Sequence, residues 1–143
     1  MKTVRDLLAG KGNAVHAVAP TSTVYDALGV MAQQGIGAVL VLDGDRLVGI
    51  LSERDYARQV ILKGKASRDT PVRDIMTASV VYVTPDRTVE ECMAIMTNRR
   101  CRHLPVVVEH RVTGVLSIGD VVKALISEKQ FEIEQLTSYI LKG

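Results

Sequence analysis

Hydrophobic and polar positions along the chain fall into one arrangement that occurs twice. From Val15 a short apolar run closes at Pro20, which offers no backbone donor to a strand. Thr23 and Asp26 follow with the spacing by which a helix start caps itself, and Val24, Leu28 and Met31 form a stripe of helical period. The runs Ala38–Leu42 and Leu47–Leu51 read as strands joined across Asp43-Gly44, a tight-turn pair, and Ser52 opens a second helix. The pattern returns without a gap 65 positions on, from Val80 to Ile126. There Pro85, Thr88 with Glu91, the stripe Val89, Met93, Met96, the runs Leu104–Val108 and Val112–Leu116, and Ser117 take the corresponding places. In-register identities such as Pro20/Pro85, Thr23/Thr88, Gly49/Gly114, Ser52/Ser117 and Asp55/Asp120 mark a duplication.

The expected fold class is therefore α/β (α+β), with the order β-α-β-β-α in each copy. A unit of 47 residues buries too little on its own, so the two copies are expected to pack as one pseudo-twofold body with flanking N- and C-terminal helices. Residues 1–14 read as a helical segment ending near Gly10–Gly12, 15–61 as the first repeat, and 62–79 as a polar linker with a short helical piece at Val72–Met76. Residues 80–126 are the second repeat, and 127–143 prolong its last helix. In that helix Ile133, Leu136 and Ile140 share one side, a packing or dimer face. No length remains for a separate catalytic domain.

Composition narrows the function classes. A net charge of +2 gives no bulk attraction to nucleic acid or an anionic membrane, and 3% aromatic residues with no Trp supply no platform for stacking bases. A hydrophobic content of 47% suits a packed core, and two cysteines make no disulfide framework. No segment reads as a signal peptide or a bilayer span, so the expected setting is cytoplasmic.

Chemistry concentrates in Gly49-Ile50-Leu51-Ser52-Glu53-Arg54-Asp55 and its counterpart Gly114-Val115-Leu116-Ser117-Ile118-Gly119-Asp120. Each places a hydroxyl at a helix start and a carboxylate one turn in. The orphan amides there favour anions, and a carboxylate accepts hydrogen bonds from both hydroxyls of a ribose. The same Ser-x-x-Asp spacing also closes a capping box with no ligand. Capping leaves the glycine three residues earlier unexplained, and its missing Cβ points to something approaching the strand closely. A second signal, Arg99-Arg100-Cys101-Arg102-His103-Leu104-Pro105, is a basic cluster that reads either as a polyphosphate grip or as a solvated loop. The first copy has uncharged Ile36-Gly37-Ala38-Val39 there, and its own basic candidate is Arg54. Cys92, Cys101, His103 and His110 fit no common zinc spacing, and Cys92 lies on an apolar stripe. Neither Cys101 nor Ser117 shows a base held by a third group, so no catalytic constellation is expected.

These residues resemble a tandem pair of cystathionine β-synthase (CBS) domains, a Bateman module of the small stand-alone bacterial type. The motif Gly-x-x-Ser-x-x-Asp closing each repeat and Arg-His-Leu-Pro-Val-Val in the second carry the resemblance. It implies a cleft between the repeats that binds adenosine nucleotides: AMP, ADP or ATP, in some members NAD or S-adenosylmethionine. Asp55 with Ser52 and Asp120 with Ser117 would hold ribose. In the crossed pattern that the resemblance implies, Asp120 would share a ligand with Thr21, Ser22 and Ala27, and Asp55 with Thr84, Arg87 and Cys92. Phosphate contacts would come from Arg102, His103 and Arg54, with Pro105 in the same motif. The expected function is a non-enzymatic, metal-free nucleotide sensor that signals through a homodimer to a downstream protein. The alternative is a constitutive dimeric scaffold whose motifs only cap helices.

Overall fold

The computed structural model describes residues 2–142; Met1 and Gly143, the outer ends of the two terminal segments expected above, lie outside the described residues. The elements run α1 (Val4–Lys11), β1 (Ala17–Val18), α2 (Val24–Gln34), β2 (Ala38–Asp43), β3 (Arg46–Ser52), α3 (Glu53–Tyr56), α4 (Val89–Arg99), β4 (His103–Val108), β5 (Arg111–Ser117) and α5 (Ile118–Lys142). Helix α3 continues as a π-helical turn over Ala57–Ile61, and Val72–Asp74 form a single 3-10 turn. This mixed α/β order reproduces the duplicated pattern with one loss. In the first copy β1 lies parallel to β2, and the Leu40 amide donates to the His16 carbonyl at 3.1 Å. The corresponding residue of the second copy is Pro105, which has no N–H to give. The opening strand there shrinks to one parallel bridge, Val83 with Val106.

The chain divides into two compact units whose membership does not follow the order of the repeats. One unit comprises Ala14–Val81 with Glu109–Val112. Its sheet has the order β1-β2-β3, with β2 and β3 antiparallel and a bulge between Val41 and Leu42. The hairpin turns at Gly44, whose φ of 63° suits a residue without Cβ. Helix α2 covers the sheet with Val24, Ala27 and Met31, packed against Val39, Val41 and Leu51. Val72 and Ile75 are buried in the same core, so the end of the expected linker is part of this unit. Its amides are tied down: Val72 and Arg73 donate to the carbonyls of Ser22 (2.7 Å) and Pro20 (3.1 Å), and Thr77 pairs with Ile50.

The other unit comprises the N-terminal segment through Asn13, Tyr82–Val108, and the chain from Thr113 onward. It is built by the same rules. Val4 and Arg5 donate to the carbonyls of Arg87 (2.8 Å) and Pro85 (3.0 Å), the positions matching Ser22 and Pro20. Val89 donates to Lys2 as Val24 donates to Thr70. Val4, Leu8, Val89, Cys92, Met96, Leu104 and Leu116 are buried. Thus α1, which precedes the first repeat, packs with the second, and the turn at Val72, which precedes the second repeat, packs with the first.

Candidate functional site

Both Ser-x-x-Asp motifs close capping boxes. At α3 the Ser52 amide and hydroxyl donate to Asp55 Oδ2 at 2.9 and 3.0 Å, and the Asp55 amide donates to Ser52 Oγ at 3.2 Å. At α5 the Ser117 amide donates to Asp120 Oδ2 at 2.8 Å and the Asp120 amide to Ser117 Oγ at 3.2 Å. The first helical amides are also used: Glu53 donates to the Gly37 carbonyl at 3.0 Å and Ile118 to the Arg102 carbonyl at 2.8 Å. Two of the donors that leave a helix start attractive to anions are therefore satisfied within the protein at each site. The carboxylates differ in one respect that their shared motif does not reveal. The ammonium of Lys11, in the last turn of α1, donates to Asp120 Oδ2 at 2.5 Å and to the Val115 carbonyl at 2.6 Å. Burial pushes the Asp120 carboxyl up, but Lys11 and the Ser117 amide and hydroxyl outweigh it and hold the group below its ordinary value. The bonds accepted by the two carboxylates all fall on Oδ2, and Oδ1 of each aspartate takes none of them.

The glycines that precede the motifs are explained by packing. A Cβ on Gly114 would stand 2.8 Å from Leu8 Cδ2, and one on Gly49 would collide with Met76 Sδ and lie 3.2 Å from the Thr77 carbonyl oxygen. The close approach expected from sequence is made by the segments that lead into the repeats. Leu8 and Met76 hold matching places in Val4-Arg5-Asp6-Leu7-Leu8 and Val72-Arg73-Asp74-Ile75-Met76. That doublet was the signal available in the sequence for these positions; Lys11, three residues beyond Leu8, carries no motif of its own.

The remaining candidates divide between the units. Thr21, Ser22, Ala27, Ser52, Arg54 and Asp55 belong to the unit containing α2, and Thr84, Arg87, Arg102, His103, Pro105, Ser117 and Asp120 to the unit containing α4. Ser22 accepts the Ala19 amide through Oγ at 3.1 Å, and its carbonyl receives Val72. Thr21 is exposed in the same turn. In the matching turn Thr84 donates to Asp86 at 2.5 Å, and Arg87 forms an exposed ion pair with Glu91 at 2.8 Å. Arg54 and Arg102 are exposed beside the capped helix starts, and His103 is half-buried as the first residue of β4. Ala27 is wholly buried in a core cluster and Pro105 is buried in β4, so neither presents a surface to a ligand here.

Burial raises the thiol of Cys92 to about 11 and pushes that of Cys101 above its ordinary value, the direction that favours the neutral thiol. Among the described residues no group of three His, Cys, Asp or Glu side chains is placed to hold a metal, and no helix is long and apolar enough to cross a membrane.

Comparison with known proteins agrees with this geometry. The CBS domain family model matches residues 4–61 and 72–127, starting each time at the Val-Arg-Asp segment. A mitochondrial CBS domain-containing protein of Arabidopsis thaliana, CBSX3, is 38% identical over 150 residues, covering 99% of this chain and 73% of its own. The structure of a Burkholderia ambifaria protein with CBS domains, assigned to signal transduction, superposes with a TM-score of 0.85 at 47% identity, covering 88% of this chain and 95% of that one. A CBS-domain protein from Agrobacterium tumefaciens gives 0.82 at 41% identity, covering 86% and 98%. The chain belongs to the CBS domain family, as a tandem pair of the kind that serves regulation and signal transduction.

Proposed function

We propose that this protein is a nucleotide-sensing regulatory module: it binds an adenosine nucleotide (AMP, ADP or ATP, with NAD as a further ligand) and passes occupancy through a pair of chains to a downstream protein. The observation that carries the reading is the one-sided use of each motif carboxylate. Capping consumes Oδ2 of Asp55 and Asp120, which leaves Oδ1 of each to accept a ribose hydroxyl without undoing the helix start. Arg54 is exposed next to Asp55 in sequence, and Arg102, whose carbonyl receives the first amide of α5, is exposed as well; both suit phosphate oxygens. The module is a binder and not a catalyst on this reading, since a regulator needs only different affinities for two conformations.

A specific observation favours the scaffold as the second reading. Both caps are complete with no ligand, and Lys11 already neutralises Asp120. Titration calorimetry with AMP, ATP and NAD separates the two. The sensor gives saturable heat in the wild type, weakened at least about tenfold in Asp55→Asn or Asp120→Asn, which retain a capping oxygen while losing the charge. Absence of heat with all three nucleotides leaves the scaffold.

A further inference from the structure

From Lys129 to Leu141 every residue of α5 is exposed, a stretch of about 20 Å at 1.5 Å per residue. A helix this short is marginal in water without a partner. Its apolar side chains follow alternate steps of four and three: Val122, Ile126, then Lys129 in the one polar step, Ile133, Leu136 and Ile140. Five of these six are large hydrophobics, exposed at 39–73%. This is the spacing of a coiled-coil seam. We propose that α5 pairs with α5 of a second copy of this chain, antiparallel, about a twofold axis near Phe131. This deepens the pairing of chains in the proposed function and is independent of nucleotide binding.

Orientation follows from the single polar step. In a parallel pair Lys129 would face its own copy across the seam, setting two ammonium groups against each other. Reversing one helix changes every neighbour. Val122 then meets Ile140 of the second copy and Ile126 meets Leu136. On the flank Leu125 meets Tyr139, which is itself 77% exposed. Lys129 falls beside Ile133 and Glu132 of the other copy. Lys129 and Glu132 already approach to 3.5 Å within one chain, so at the axis two lysines and two glutamates alternate. Four of the five apolar seam positions thus find an apolar partner, Ile133 packs along the Lys129 stem, and the ammonium reaches Glu132, which makes the stripe self-complementary, as a twofold interface requires. Phe131 lies on the far face of the helix, outside the seam.

Light scattering and sedimentation on the full chain, with Ile133→Glu as the variant, test the pairing. Ile133 is exposed in the single chain, so the charge leaves the buried core of the fold intact, and any loss of helix signal in circular dichroism is confined to the exposed end of α5. The expected result is a wild-type dimer and a dissociation constant raised more than about tenfold in the variant. Orientation is read by cysteine cross-linking in a Cys101→Ser background. Ile126→Cys and Leu136→Cys chains, differently tagged and mixed, are expected to form the mixed disulfide, and neither is expected to cross-link with itself. A dimer that survives Ile133→Glu, or self-linking of Ile126→Cys, overturns this inference while leaving dimerisation standing. A monomeric wild type overturns this inference and the pairing in the proposed function together.

Discussion

At Asp120 two opposed effects act on one carboxyl. Burial favours its neutral form, while Lys11 and Ser117 favour the charged form and prevail. A carboxyl held below its unfolded value contributes stability above the ordinary value of 3.8, and that contribution is lost as pH falls through the depressed folded value. Lys11→Met leaves burial opposed only by the Ser117 bonds, so the Asp120 pKa is expected to rise and acid unfolding to begin at higher pH. Carboxyl carbon shifts across pH 2–6 measure the first; thermal unfolding over the same range measures the second. A pKa unmoved by Lys11→Met refutes the assignment of the shift to this ion pair. Gly114 offers a separate test at the same scale. Gly114→Ala presses its Cβ onto Leu8 and is expected to destabilise by about 1–3 kcal/mol, as overpacking does. In a double-mutant cycle with Leu8→Ala much of that penalty disappears, whereas additive urea-unfolding energies would mean that the methyl clashes with something else.

The helices were legible as elements because their stripes are periodic and their caps local: Thr23, Thr88, Ser52 and Ser117 each act within three residues. What eluded the sequence depends on partners remote along the chain. The loss of the second opening strand follows from Pro105, but only once the Leu40-to-His16 bond of the other copy is known. The Gly-x-x-Ser-x-x-Asp motif was readable as cap or ligand site, and Lys11, 109 residues from Asp120, was invisible as its partner. The basic cluster also acquires a new meaning at element scale. Helices α2 and α4 both end in a left-handed residue, Gly35 at φ 65° and Arg100 at φ 53°. Glycine adopts that conformation freely, and an L side chain pays about 1 kcal/mol for it. Arg100→Gly is therefore expected to stabilise by roughly 0.5–1 kcal/mol and to raise the melting temperature by a few degrees. Gly35→Arg should lower it comparably. A melting temperature that falls in Arg100→Gly would show that the arginine side chain matters more than its backbone strain.

Over the whole molecule, the units of sequence and the units of packing do not coincide. The gapless alignment has a step of 65 residues, but Val4-Arg5-Asp6 and Val72-Arg73-Asp74 are 68 apart, which is why the doublet drops out of register with the repeats it introduces. Each doublet packs with the repeat it does not precede: Val4 and Leu8 with the unit of α4, Val72 and Ile75 with the unit of α2. Cutting the chain between residues 61 and 72 would therefore leave each half without the hydrophobic plug it needs and holding the one that belongs to the other. This exchange has a directional signature. Val4 and Val72 are both fully buried, and truncating either to alanine is expected to cost about 1–3 kcal/mol by lost burial and the cavity left behind. The loosened region should differ. In native-state hydrogen exchange, Val4→Ala is expected to speed the amides of β4, α4 and the first turns of α5 while leaving β2, β3 and α2 near their wild-type rates. Val72→Ala should do the reverse, since local opening follows the contacts that were lost. If Val4→Ala instead loosened the repeat that follows it in sequence, residues 15–61, the chain would fold by adjacency and the exchange of leading segments would have no energetic weight.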